Sequence, residues 1–423
     1  MDSPAATLAW LTNLRASGSR LGIERMRVLM DRLQHPELIT PCIHVAGTNG
    51  KGSTCAMLEA IQRKAGGRST GLYTSPHLIH LGERIQHNRR LLVDASIIER
   101  VAALRSTVEA IHRETPDLAP TFFELMTCMA FQAFAEWKVD IAILETGLGG
   151  RLDATNVCNP LVTVITSIGI DHEEYLGNSI ESIAAEKAGI LKSGVPCVLG
   201  ELPSEAETVI RARAHELGVE VYTVRERFGE NLPKTNLAGR HQTVNAGCAL
   251  LACEIISPKL PFDPTLAQQA LQSIEWHARW QRVSLPDGRM LIIDASHNEE
   301  GVRSLEPLLA ELHSPTVIVG ATGLARALPL LQCVARHAGV LHLVEPANER
   351  ALSQAQLAAL LPPLKIPVHH SKVSELFPAK NHCLAQGDTV LVVGSLYLAG
   401  EVLARLSGET SSVNWQDRLT PSR

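Results

Sequence analysis

The segment HVAGTNGKGST, residues 44–54, constrains this chain more than any other. An apolar run, Ile43 to Ala46, leads into it. A helical pattern leaves it, with Met57, Leu58 and Ile61 on one face, and stops at Gly66-Gly67. Glycines at 47, 50 and 52 let backbone N–H groups turn inward and approach an anion closely. The helix N-terminus adds a partial positive charge. Lys51 supplies a point charge for outer phosphates, and the hydroxyl of Ser53 or Thr54 suits Mg2+. The common phosphate loop reads G-x-x-x-x-G-K-[ST]. Here Val45 stands at its first glycine, and Gly52 separates Lys51 from Ser53. An ordinary Gly-rich turn between strand and helix is the competing reading.

A strand–loop–helix unit of this kind belongs in an α/β fold, and the rest of the chain continues it. After a helical stretch over residues 1–40, the runs VDIAILE, LVTVITSIGIDH and VPCVLG read as further apolar strands, the second running out through Asp171 and His172. Strands that alternate with helices imply parallel pairing. A Pro-rich stretch, SPKLPFDP (257–264), precedes a short helix. A second alternating series then starts with RMLIID, PTVIVG, GVLHLVE and DTVLVVG. The boundary falls near residue 280, giving a domain over 1–280 and a smaller one over 281–423. The tail from Ser407 is polar and reads as loose.

Composition narrows the partners. Apolar residues make up 45% of the chain, enough for sizeable cores, and the net charge of −5 leaves no footprint for nucleic acid or an anionic membrane. Small molecules are the expected partners. Nine cysteines stand singly, without a C-x-x-C or a Cys/His ladder, which predicts reduced thiols in the cytoplasm. No basic start followed by an apolar run marks a signal peptide, and no stretch approaches the roughly 20 apolar residues a membrane span needs.

Four further stretches carry chemistry. In ILETGLGGRLDATN (143–156), Glu145 ends an apolar strand, where open α/β sheets place ligands and where a carboxylate suits Mg2+. Arg151 and Asp153 follow a glycine loop and suit polar recognition; a strand-end Glu that merely caps a helix is the alternative. In IGIDHEEYLG, His172 lies just past another strand end, as a ligand or as a structural histidine. NSIESIAAEKAGILK reads as a helix with a capping box from Asn178 to Glu181. Its face of 180, 183, 184, 187, 188 and 191 is apolar except for Lys187, which is either buried with a lowered pKa or snorkelling to solvent. In IIDASHN (292–298), Asp294 and His297 follow a strand end, and Arg279 precedes it in a linker.

Together these stretches resemble the folylpolyglutamate synthase and dihydrofolate synthase branch of the Mur ligase superfamily. The likeness includes the glycine after Lys51. It extends through TSPHL with ERIQHN, TFFELMT, GRHQTVNA (239–246), PANERAL and VGSLYLAGEV, in order along most of the chain. The resemblance implies a P-loop ATPase domain with a mostly parallel sheet, a smaller Rossmann-like α/β domain, and an active site in the cleft between them. It implies an ATP-dependent amide ligase. A folate-type carboxylate, on dihydropteroate or a reduced folate, is phosphorylated, and L-glutamate attacks the acyl phosphate. Thr48, Asn49, Gly50, Lys51, Gly52, Ser53 and Thr54 would then hold ATP, with Asn245, Arg279 and Asp294. Ser53, Ser75 and Glu145 would hold one Mg2+, and His172 would help hold a second. Lys187 matches a lysine carbamoylated by CO2 in many relatives. Thr121, Phe123, Arg151, Asp153 and Ala154 would line the folate side, with His297 where glutamate enters. The expected enzyme is a cytoplasmic monomer.

Two departures stand out. The family usually reads Pro-Gly-Arg where this chain has His277-Ala278-Arg279, and VGATGLARALPL (319–330) lacks the family's Asp-Lys-Asp run. A Mur-type ligase with another carboxylate acceptor, or a nucleotide-gated switch that joins nothing, remains an alternative reading.

Overall fold

The computed structural model describes residues 3–16 and 22–409. The expected loose tail lies outside them from residue 410 onward. Two sheets organise the chain. The first contains β1 (Cys42–Ala46), β2 (Thr70–Tyr73), β3 (Ile85–His87), β4 (Arg90–Leu91), β5 (Ile141–Glu145), β6 (Val162–Ile165), β7 (Cys197–Leu199) and β8 (Val221–Thr223). Its order is β4-β3-β2-β5-β1-β6-β7-β8, parallel except for the β3–β4 hairpin and its β2 edge. The second contains β9 (Gln281–Ser284), β10 (Met290–Asp294), β11 (Thr316–Val319), β12 (Val340–Leu343), β13 (Val368–His370) and β14 (Thr389–Val393). Its order is β13-β12-β11-β14-β10-β9, with β9 alone antiparallel.

Burial on both faces explains why the central strands read as unbroken apolar runs. Every residue of β1 and β5 is buried. In β5, Ile141 and Ile143 join one core with Met57, Leu58 and Leu251. Ala142 and Leu144 point the other way, into a core with Met26, Leu29, Leu125 and Met129. The second sheet repeats the plan: Ile292, Val317 and Leu391 face one core, and Leu291, Ile318 and Val392 face another. Among the described residues, no helix is long and apolar enough to cross a membrane.

Three local expectations need correction. β6 stops at Ile165, so Asp171 and His172 are reached through a loop, not along the strand. The helix Ile180–Ala188 is capped by Ser179, whose hydroxyl accepts from Ser182 N at 3.1 Å, rather than by Asn178 and Glu181. The β2–β4 region was not anticipated as sheet; its short strands lack a long apolar run.

The sheet order places the chemistry. β1 lies between β5 and β6, pairing Val45 with Glu145 and Ala46 with Ile165. The chain leaves β1 toward β2 on one side and meets β6 on the other, which opens a crevice at the carboxyl ends. The helix Phe122–Glu136 borders this crevice with its N-terminus, and a buried ion pair anchors it. Arg25 Nε donates to Glu124 Oε1 at 2.9 Å, with both side chains at or below 10% exposure. Burial pushes the Glu124 carboxyl up, and Arg25 and the Thr121 N–H oppose that shift. Removing the cation strands a buried carboxylate. Arg25→Ala is therefore expected to lower stability by about 3 kcal/mol or more, measured by urea denaturation; a loss under about 1 kcal/mol would show that the pair is dispensable.

Candidate active site

The loop after β1 is held in a shape that only glycine accepts at two points. Gly47 has φ +153° and Gly50 has φ +83°. A Cβ at Gly47 would lie 1.9 Å from Thr166 Oγ1, and one at Gly50 would lie 2.4 Å from Asn245 Oδ1. The loop after β6 braces it: Thr48 N donates to Ser167 O at 2.8 Å, and Thr166 Oγ1 donates to Asn49 O at 2.6 Å. The helix Lys51–Ala60 starts at once, so its free N–H groups face the cleft. Lys51 Nζ donates to the carbonyls of Gly47 (2.9 Å) and Thr48 (3.2 Å).

Around this loop lie polar atoms with unused capacity. Ser53 Oγ, Thr54 Oγ1 and His172 Nδ1 are buried without a hydrogen-bond partner. Glu145 is buried and accepts from Ser75 N at 3.0 Å. Burial pushes its carboxyl up, against the pull of Lys51, so a cation beside it would favour the charged form. Burial pushes His172 down to about 4, leaving a neutral imidazole able to ligate. Hydroxyls, one carboxylate and one neutral imidazole fit a hard divalent cation such as Mg2+. Thr54 does not line the cleft; Ser53, Ser75, Glu145 and His172 do.

Lys187 does not snorkel. It is 3% exposed, and its Nζ donates to Gly47 O at 2.9 Å, the same oxygen that Lys51 uses. Burial first, and then the Lys51 charge, lower its pKa to about 7.

The other wall comes from the second sheet and its approach. Asp294 ends β10 and accepts from Trp280 N and Ser296 N, at 2.8 and 2.9 Å. Arg279 is half-buried, and desolvation lowers its pKa against the opposing pull of Asp294 and Glu145. Ala278 adopts φ +57°, a left-handed conformation at the position where the family pattern has glycine. The arginine thus keeps a glycine-type turn before it. His297 bonds through Nδ1 to Ala295 O at 2.8 Å. Because a carbonyl only accepts, Nδ1 carries the proton and Nε2 is an acceptor in the neutral ring. Burial lowers this histidine's pKa.

One cleft of about 930 Å³ brings together Thr48 to Ser53, Ser75, Thr121, Phe123, Glu145, Asp153, Ala154, His172, Lys187, Asn245, Arg279, Asp294 and His297. Arg151 is a correction: it is exposed, pairs with Glu186 at 2.7 Å and does not line the cleft. Asp153 lines it, but its carboxylate already accepts from the N–H groups of Gly147, Leu148 and Thr155, so it shapes the loop. The cleft also includes His241, Glu300 and Arg326, which sequence reading did not single out. The GRHQTVNA motif pointed to His241; no motif pointed to Arg326 or Glu300.

A phosphate loop facing a second α/β unit across a cleft marks a nucleotide-using two-unit protein, and residues 45–224 match the Mur ligase middle domain. The chain is 34% identical over 427 residues to the dihydrofolate synthase/folylpolyglutamate synthase of Bacillus subtilis, covering 94% of this chain and 98% of that one. It superposes on Mycobacterium tuberculosis folylpolyglutamate synthase complexed with ADP, with a TM-score of 0.83 at 28% identity, over 96% of this chain and 99% of the other. It also superposes on E. coli FolC in complex with DHPP and ADP, with a TM-score of 0.80 at 28% identity, over 95% and 97% of the two chains. The chain belongs to the dihydrofolate synthase/folylpolyglutamate synthase family of Mur ligases.

Gly50→Ala tests the loop directly. The strained φ and the clash with Asn245 are expected to weaken ADP binding by about tenfold or more, read by titration calorimetry with an unchanged circular dichroism spectrum. Wild-type affinity would show that the loop tolerates a side chain there.

Proposed function

We propose that this cleft joins L-glutamate to the carboxylate of a folate-type substrate, dihydropteroate, a reduced folate or both, by way of an acyl phosphate. The chain is an ATP-dependent folate–glutamate ligase by family. The observation that carries the detailed reading is the convergence of the phosphate loop, buried Glu145 and Lys187, and His297 on one cleft that also includes Phe123.

A carboxylate is a poor acyl donor until it is phosphorylated. Its oxygen attacks the γ-phosphorus, the bond to the β–γ bridging oxygen breaks, and ADP leaves. The amino group of glutamate then attacks the acyl carbon, phosphate departs, and the nitrogen loses a proton. Lys51 and the loop N–H groups neutralise and position the phosphates, which is most of what phosphoryl transfer asks of a protein. Asn245 meets the nucleotide beside the phosphate loop, and Arg279 and Asp294 meet it from the far wall. Ser53, Ser75 and Glu145 would hold Mg2+, and His172 would help hold a second ion; the metal would offset phosphate charge. Phe123 offers a face to an aromatic ring, beside Thr121 and Ala154. His297 Nε2 accepts from the incoming amine.

Lys187 is the residue proposed to carry a carbamate. Only a neutral amine reacts with CO2, and a pKa of about 7 supplies one near neutrality. The domains are proposed to divide near residue 280; support comes from two sheets that share no strand. The protein is proposed to act as a monomer, and in the cytoplasm because all nine cysteines are buried and free.

The test is product mass after incubation with ATP, Mg2+ and L-glutamate, with dihydropteroate in one tube and tetrahydrofolate in another. Addition of one glutamyl unit in either is expected. Lys51→Ala and Glu145→Ala are each expected to reduce it about 100-fold or more. No product in either tube, with ATP bound, would sink the folate reading and favour another acceptor or a switch. For the carbamate, 13C-bicarbonate is expected to yield a carbamate resonance by NMR that is absent in Lys187→Arg. Its intensity should fall as pH drops below about 7, because the protonated amine cannot react; a resonance unchanged in Lys187→Arg would remove the assignment.

A further inference from the structure

A chain of polar contacts ties the phosphate loop to the second sheet's helices, and no motif announced it. Asn298 caps the helix Glu299–Ala310, its Oδ1 accepting from Gly301 N at 2.9 Å. Its Nδ2 donates to Asn49 Oδ1 at 3.1 Å and to Asp171 Oδ2 at 2.9 Å. Asn49 Nδ2 returns bonds to Asn298 Oδ1 at 3.1 Å and Glu300 Oε2 at 2.8 Å. The other oxygen of Asp171 takes an ion pair from Arg326 and also accepts from His172 N at 2.9 Å. His172 has φ +53°, a left-handed conformation that a residue with a side chain disfavours.

Arg326 itself sits against a local preference. It lies in the first turn of the helix Leu324–His337, where the helix dipole disfavours a cation. Asp171 compensates. The residue also falls in VGATGLARALPL, the segment that departs from the family's run. Its side chain is 27% exposed, so the pair is part-buried at the cleft wall.

We propose that Arg326 is a positioning residue: by gripping Asp171 from the second unit, it fixes the His172 turn and sets the register of that unit against the phosphate loop. Asn298 and Asn49 complete the same latch one loop away. The latch, with the Arg326–Asp171 pair as its charged member, thereby aligns His172 on one wall with His297 on the other. The proposal rests on the ligase reading for its kinetic readout and on geometry alone for its structural one.

The experiment compares Arg326→Ala and Arg326→Lys with wild type. The readouts are kcat, the KM for glutamate, ADP affinity, and the radius of gyration by small-angle X-ray scattering with ADP bound. A misaligned second wall should cost kcat rather than binding, so Arg326→Ala is expected to lose about 10- to 100-fold in kcat. The KM for glutamate and the ADP affinity should each stay within about twofold. The radius of gyration should rise, and Arg326→Lys should recover most of kcat, since an ammonium still reaches a carboxylate. Wild-type kcat and dimensions in Arg326→Ala would overturn the proposal. So would a raised glutamate KM at unchanged kcat, which would make Arg326 a direct substrate contact. If wild type forms no amide product, the ligase reading fails on its own, and the scattering comparison still decides the latch.

Discussion

Two lysine side chains, Lys51 and Lys187, donate to one carbonyl oxygen, that of Gly47. The arrangement depends on the turn at the end of β1, where Gly47 has no side chain and Thr166 occupies the space one would need. It also depends on β1 being central, because only a strand flanked by β5 and β6 brings Glu145 and the Thr166–Ser167 loop alongside its exit. Burial lowers the pKa of Lys187 to about 7, and the Lys51 charge beside the shared acceptor pushes in the same direction. Nearby, burial raises the Glu145 pKa against the pull of Lys51, and the Ser53 hydroxyl is left without a partner. These are the electrostatic signs of a site arranged for phosphate and cation rather than for its own internal satisfaction.

The second unit completes what the first begins. Arg279 precedes β9, whose start pairs with the carboxyl end of β10, and Asp294 and His297 end or follow β10 itself. Their backbone turns are specific: Ala278 is left-handed, and Asp294 spends its oxygens on the N–H groups of Trp280 and Ser296. Asp294 therefore anchors the Arg279 turn as well as facing the cleft. Asp153 has a similar place in the first unit, where it gathers three backbone N–H groups and shapes the glycine loop that follows β5.

Much of this was legible in the chain. The strands that read clearly, β1, β5, β10, β11 and β14, are buried on both faces and so carry continuous apolar runs. Of the strands that did not, β4, β8, β9 and β13 are at edges with half-exposed residues, β3 has only three residues, and β2, though buried, opens with Thr70 and Gly71 and so lacks an apolar run. Lys187 stood out because one charge interrupted an apolar helical face, and the helix does bury that face. Arg151 misled because an arginine after a glycine loop looks the same whether it meets a ligand or a glutamate one helix away. His172 was found for an imperfect reason, since the strand it was expected to end stops at Ile165.

By itself, then, the sequence determined the alternation of strands and helices, the phosphate loop with its glycines and lysine, and the family to which the chain belongs. The first two follow from local rules of periodicity, backbone freedom and motif spacing, and the family from the resemblance of its motifs taken in order along the chain. Tertiary structure alone decided which charges share a carbonyl, which hydroxyls go unpaired, and that Arg326 meets Asp171 across 155 positions of sequence. Pairing at that separation leaves no local trace, because a helix-start arginine and a loop aspartate satisfy the same local rules whether or not they meet. Burial, which shifts the pKa of Lys187, His172 and Glu145, exists only once the chain has folded around them.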